Sequence, residues 1–283
     1  MAKKNIQHES LLTRDFNTQS VEPNFFVRWG IRAVVLIIGW FVIYFSVKWF
    51  IPKIFQATPL IISIFLAYIY VTYIALPALA RVITRAINRQ NIPHRSQTAD
   101  GLFGDPVNIA VVGSKMTLQK SMTLAGWRTA DKITLKTAFK MIKSTLLRQS
   151  YPNAPVYNLY LRGKKQDMVF QQEVNKNPFR RHHVRFWRYT DLPETDKNNL
   201  WLGAGTYDNG VGVCYRTGRV THIIHPNVDA ERDYIVQSLD KTKLINSVKK
   251  FPTAGYYYES RNGYGHRFYT DGQLIMCYLK HHG

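Results

Sequence analysis

The chain has 283 residues, with 38 lysines and arginines against 18 aspartates and glutamates, for a formal net charge of +20. Hydrophobic residues make up 46% of it, which excludes a disordered polyelectrolyte and leaves room for one sizeable core plus accessory segments. Two cysteines, Cys214 and Cys277, exclude a disulfide framework, and each lies in a strand-like run where a thiol packs as a small hydrophobe.

In chain order, residues 1–28 carry charges of both signs without apolar periodicity and read as a polar tail. No acid occurs between Pro23 and Ala99. Two apolar runs follow, 29–51 and 59–80, each long enough at ~1.5 Å per residue to span a bilayer core. Arg32 and Lys48 stand near the ends of the first run, where their stems can reach the headgroups. Pro52-Lys53 is expected to break the first helix, so the runs read as a transmembrane hairpin. Lysine and arginine are denser in the tail and after Ala80 than between the runs, which puts both termini on the cytoplasmic side.

Residues 81–105 form a polar linker, and 106–283 a soluble α+β domain with a mostly antiparallel or mixed sheet. A buried strand is predicted over Val107–Val112, a short helix over Thr117–Ala125, and an amphipathic helix over Asp131–Gln149. In the last, Leu135, Ala138, Phe139, Ile142 and Leu146 make an apolar stripe, with Lys132, Lys136, Lys140 and Lys143 on another, solvated or lipid-facing side. Short β runs then occupy 156–161, 168–174, 184–189, 200–207, 211–215 and 220–225, with a hairpin turn expected at Asn209-Gly210. After Pro226 the pattern is helical to about Val248, with Asp229, Glu231 and Asp233 near its positive end, and strands over 256–259 and 273–279 complete the sheet.

The stretch from Arg180 to Asp233 holds four of the nine histidines. Strand alternation puts His183 on one face with Arg181, Arg185 and Trp187, and His182 on the other with Val184 and Phe186. His182 is therefore expected to be core-facing and hydrogen-bonded, and His183 to meet an anion. The catalytic candidates are His183, His222, Asp208 and Asp229. Arg181, Arg185 and Arg232 are the anion-binding candidates: arginine holds phosphate or carboxylate, histidine moves a proton or attacks, and an acid orients it. No metal site is expected, since neither an HExxH nor a paired-cysteine spacing is present, and the cofactor is left unknown. Gly218-Arg219, His225 and Asp229 are spaced similarly to the third motif of lipid-phosphate phosphatases, but the first two motifs of that superfamily are missing.

From about Gly104 to Leu239 the chain resembles the LssY C-terminal domain family of bacterial proteins. The resemblance rests on Asp105-Pro106-Val107-Asn108, Ala125-Gly126-Trp127, Pro155 through Leu161 with Gln166-Asp167, Arg181 through Trp187, Trp201-Leu202-Gly203-Ala204 with Tyr207-Asp208, and Thr221-His222 with Asp229 through Asp233. It implies a bacterial envelope protein without an assigned reaction, and together with the predicted hairpin it points to a multi-pass protein of the bacterial inner membrane. Two function classes are carried forward. One is a membrane-held hydrolase or transferase of phosphorylated or lipid-linked substrates. The other is a non-catalytic envelope or secretion accessory protein that binds anionic lipid or a membrane-protein partner. No nucleic-acid reader motif is present.

Overall fold

A computed structural model describes residues 44–75, 94–99, 102–189, 199–213, 220–252 and 259–280, together with 33, 37, 40 and 41. In its N-terminal part, Pro52 does not break the helix. Helix α1 (Ile51–Ala57) carries Pro52 in its first turn and follows directly on a π-helical turn, Ser46–Phe50. A widened turn is one way a helix absorbs the N–H that proline lacks. The reversal comes instead at Thr58-Pro59, where Thr58 is extended and its hydroxyl hydrogen-bonds Ile54 O at 2.9 Å and pairs with Ser63 at 2.8 Å. Helix α2 (Leu60–Tyr70) follows, and Tyr70 returns to stack on Phe50 with ring centroids 4.0 Å apart. Among the described residues no helix is long and apolar enough to cross a membrane. The predicted spans 29–51 and 59–80 fall partly outside the described residues, as does most of the predicted linker.

The remainder is an α+β domain with mixed and antiparallel sheets. Its strands, in chain order, are β1 (Arg95–Thr98), β2 (Phe103–Pro106), β3 (Ile109–Val112), β4 (Arg128–Thr129), β5 (Leu159–Leu161), β6 (Lys164–Lys165) and β7 (Met168–Val174). They continue with β8 (Asn177–Arg188), β9 (Leu200–Val213), β10 (Val220–Ile224), β11 (Ile245–Pro252), β12 (Glu259–Arg261), β13 (Arg267–Tyr269) and β14 (Gln273–Leu279). The large sheet runs β11-β14-β3-β9-β8-β7-β4, with β10 added beside β9. Among the described residues only β14 and β3 are parallel neighbours in it. Strands β2-β1-β5-β6 form a smaller sheet, and β12-β13 a hairpin.

Alternation along the large sheet builds two cores. Ile109, Val111, Val184, Phe186 and Trp201 point to one face and pack with Leu118 and Met122 of helix α3 (Lys115–Leu124) and with Ile235 and Leu239 of helix α5 (Val228–Asp240). Ala110, Trp187, Leu202, Ala204 and Met276 point to the other and meet Leu159 and Leu161 of the small sheet. Helix α4 (Leu135–Leu146) starts at a Thr134–Thr137 capping box. Close approach explains two glycines of β9: a Cβ at Gly203 would collide with Ile109 and Phe186, and one at Gly205 with Ile235.

Two further expectations fail here. Asn209-Gly210 is not a turn but lies inside β9, which continues to Val213 and pairs with β10. The helix after Pro226 ends at Asp240, not near Val248. Lys243 takes a left-handed φ of 59°, and Ile245–Pro252 pairs with β14 as an edge strand. The strand was hidden because most of its residues are exposed, so no apolar alternation marks it.

Candidate functional site

The two longest strands, β8 and β9, run antiparallel, so that Arg181 opposes Asp208, His183 opposes Thr206 and Arg185 opposes Ala204. These side chains leave the face that the small sheet covers. His183 Nε2 donates to Asp208 Oδ1 at 3.0 Å and lies 3.1 Å from Thr206 Oγ1. His222, on β10, brings Nδ1 to 3.5 Å from the other carboxylate oxygen, Oδ2. Arg181 Nη2 donates to His222 Nε2 at 3.3 Å.

Proton positions follow from donor and acceptor chemistry. A carboxylate only accepts, so His183 carries its proton on Nε2; a guanidinium only donates, so His222 Nε2 offers its lone pair to Arg181. The proton of His222 therefore sits on Nδ1, facing Asp208, and the ring is neutral. Burial pushes the His222 pKa down, and Arg181, His183 and Arg185 push the same way against Asp208. The His222 side chain is 34% exposed, yet Nδ1 itself is shut off from solvent, so the exposed part is elsewhere on the ring.

Burial would raise the Asp208 carboxyl, but His183 and His222 outweigh it, with Arg181 adding to them, and hold it at about 2. Arg181 is buried, and its pKa is lowered by that burial despite Asp208 and Glu173. Its Nε and Nη1 are buried with no hydrogen-bond partner. Such donors cost about 1–3 kcal/mol each when left unmet. Among the described residues no group of three or more His, Cys, Asp or Glu side chains is arranged to hold a metal ion.

The other predicted residues divide. Arg185 lies on the same face but donates through Nη1 to Asp105 Oδ2 at 2.7 Å, in a buried pair. Asp229 does not join the histidines. It caps the turn before β14, accepting from Thr270 Oγ1 at 2.8 Å and from the Asp271 backbone N–H at 2.6 Å. Arg232 is likewise committed, to Asp271 at 2.7 and 3.1 Å, Asp233 at 3.0 Å, Asp229 at 3.2 Å and the Gln273 carbonyl at 2.8 Å. These two residues pin the start of α5 to the loop before β14. His182 faces the helices as expected, its Nδ1 2.6 Å from Glu231 Oε2 and its ring stacked on Tyr234 at 4.0 Å.

Sequence reasoning missed Thr206 and Asp105. Alternation along β9 could have found the first, since Thr206 must share a face with Asp208. Nothing local pointed to Asp105 as the partner of an arginine 80 residues away. Asn108, beside it, clasps the fold: its side chain donates to the Gly205 and Val228 carbonyls at 3.0 and 3.2 Å and accepts from Gly205 N–H at 2.9 Å.

A family model described as LssY C-terminus matches residues 89–274, about two thirds of the chain. No curated protein and no solved structure matches it.

Proposed function

The chain belongs to the LssY C-terminus family, and on that footing we propose that its α+β domain is a hydrolase or transferase of phosphorylated or lipid-linked substrates. The apolar runs 29–51 and 59–80 hold it at the bacterial inner membrane with both termini in the cytoplasm. One observation carries the reading: a buried guanidinium, Arg181, whose Nε and Nη1 meet no partner among the described residues and whose Nη2 rests on a neutral histidine. Once Nη2 leaves His222, Nε and Nη2 stand side by side as a fork that fits a phosphoryl oxygen pair.

In this mechanism Arg181 binds the phosphoryl group and turns its Nη2 from His222 to the anion. His222 Nε2 is then free to accept a proton from water, for hydrolysis, or from an acceptor hydroxyl, for transfer; that oxygen bonds phosphorus as the P–O bond to the leaving alcohol breaks, and the imidazolium passes the proton to the leaving oxygen. Asp208 stabilises the imidazolium that forms, and His183 with Thr206 fixes the carboxylate. Arg185, neutralised by Asp105, supports the strand face more than it binds substrate. Asp229 and Arg232 have no part in it.

The test is calorimetric titration of the full-length protein in detergent with orthovanadate and inorganic phosphate, followed by assay on a lipid phosphate. Binding to the wild type that is lost in Arg181→Gln, with turnover lost in His222→Ala, supports the reading. Absence of anion binding in a folded wild type rejects it.

A further inference from the structure

Helix α4 carries its amphipathicity the wrong way round for a globular protein. Its apolar stripe points outward: Leu135 is 82% exposed, Phe139 70%, Ile142 53% and Leu146 77%. Ile133 before it and Leu147 after it are also exposed. What the helix turns inward is the small and polar side, where Ser144 is buried and Thr137, Ala138, Met141 and Thr145 are partly covered. A surface helix normally buries its apolar stripe, and large aliphatic or aromatic side chains left in water forgo the free energy of transfer to an apolar setting. Clusters of this kind mark interaction sites.

The chemistry of the stripe's border selects the occupant. Lys136, Lys140 and Lys143 are exposed and at 100° per residue fall along one flank of the stripe, and Lys132, also exposed, precedes the helix. Between Lys132 and Arg148 there is no acid. Leucine and phenylalanine bordered by lysine are what a helix needs to lie in the plane of an anionic bilayer, its apolar side in the acyl boundary and its ammonium groups at the phosphates. A protein groove of matching shape would have no need of an unbroken basic margin.

We propose that α4 is an interfacial helix, which seats the domain on an anionic membrane by inserting Leu135, Phe139, Ile142 and Leu146 below the headgroups. This stands on residues other than Arg181 and His222. Its failure would leave the phosphoryl-site reading in place, and the reverse also holds.

The experiment uses the full chain in vesicles of phosphatidylcholine and phosphatidylglycerol. In a Cys214→Ser background, an environment-sensitive fluorophore is attached at Phe139→Cys or Leu146→Cys, and at Lys241→Cys on the exposed end of α5 as control. All three positions are exposed, so the substitutions remove no packing, and circular dichroism checks the fold. The expected result is blue-shifted emission and quenching by spin-labelled lipid at 139 and 146, with neither at 241. Quenching at the stripe should fall when phosphatidylglycerol is omitted or when the four lysines become glutamine. Water-like emission at the stripe overturns the proposal. So does emission shielded from water yet unquenched by lipid, which would mean a protein cover, and so does quenching indifferent to both headgroup and lysines.

Discussion

Arg181 and Asp208 face each other in register across the two longest strands, yet Nε and Nη1 of the guanidinium find no partner, because both carboxylate oxygens are turned to histidines. Pairing the two ions directly would have been the simpler way to bury them. Leaving the arginine edge open costs stability, and costs of this kind concentrate at functional sites.

The first prediction concerns that edge. Arg181→Lys keeps the charge but removes the planar fork, and an ammonium cannot meet two oxygens in the same geometry. Orthovanadate affinity is expected to fall by about tenfold, the equivalent of one charge-assisted hydrogen bond of about 1.5 kcal/mol. Titration calorimetry of the two proteins reads this directly. An unchanged affinity would remove Arg181 from the site.

Stability should decline in acid through identifiable groups. His94 is held at about 4, by burial and then by Arg95, while burial also depresses His222 and His266. An imidazole lowered in the folded state binds its proton more readily when unfolded, so each contributes stability that is complete above the ordinary 6.5 and lost as pH falls from there towards the folded value, about 4 for His94. The Asp208 carboxylate, at about 2, has the opposite chemistry and the same direction. Its contribution is present above the unfolded value of 3.8 and disappears as pH falls through 2. Chemical denaturation across pH is expected to give two declining limbs, one from 6.5 downward and one below 4. Asp208→Asn should flatten the lower limb, and an unaltered lower limb would contradict the assignment.

Arg185 and Asp105 should behave as one unit. Removing one member of a buried pair strands the other charge, at about 3–5 kcal/mol. Arg185→Met and Asp105→Leu are each expected to be severely destabilising, and the double variant to recover most of the loss. A double-mutant cycle by urea unfolding measures this coupling. Additive losses would mean that the 2.7 Å contact carries no shared energy.

Asp229 and Arg232 should separate stability from activity. Arg232→Met leaves Asp271 and Asp229 without their cation, but water screens the exposed Asp271, so stability is expected to fall by about 1–3 kcal/mol. Asp229→Asn keeps an acceptor for Thr270 and should cost less. At a temperature where Asp229→Asn remains folded, anion binding should match the wild type. A selective loss of binding would return Asp229 to the site.

Much of the site was legible because strand alternation is a local property. The heptapeptide Arg181 through Trp187 is enough to put Arg181, His183 and Arg185 on one face and His182 on the other, and the sheet keeps that division. Asp229 misled for the same local reason. An acid in the first turn of a helix looks available, and only the loop before β14, some 40 residues on, takes it up. In α4 the spacing marks the stripe, but periodicity does not say which way a helix is turned.

By itself, the sequence determined family membership, the α+β class and the facing of side chains along β8, since these follow from residue order and the two-residue period of a strand. Tertiary structure alone decided that β10 carries His222 to Asp208, that Asp105 claims Arg185 and Asp271 claims Arg232, and that α4 shows its leucines to the outside. Each of these depends on which of several equally charged or equally apolar groups comes within a few ångströms, and that is set by long-range chain packing.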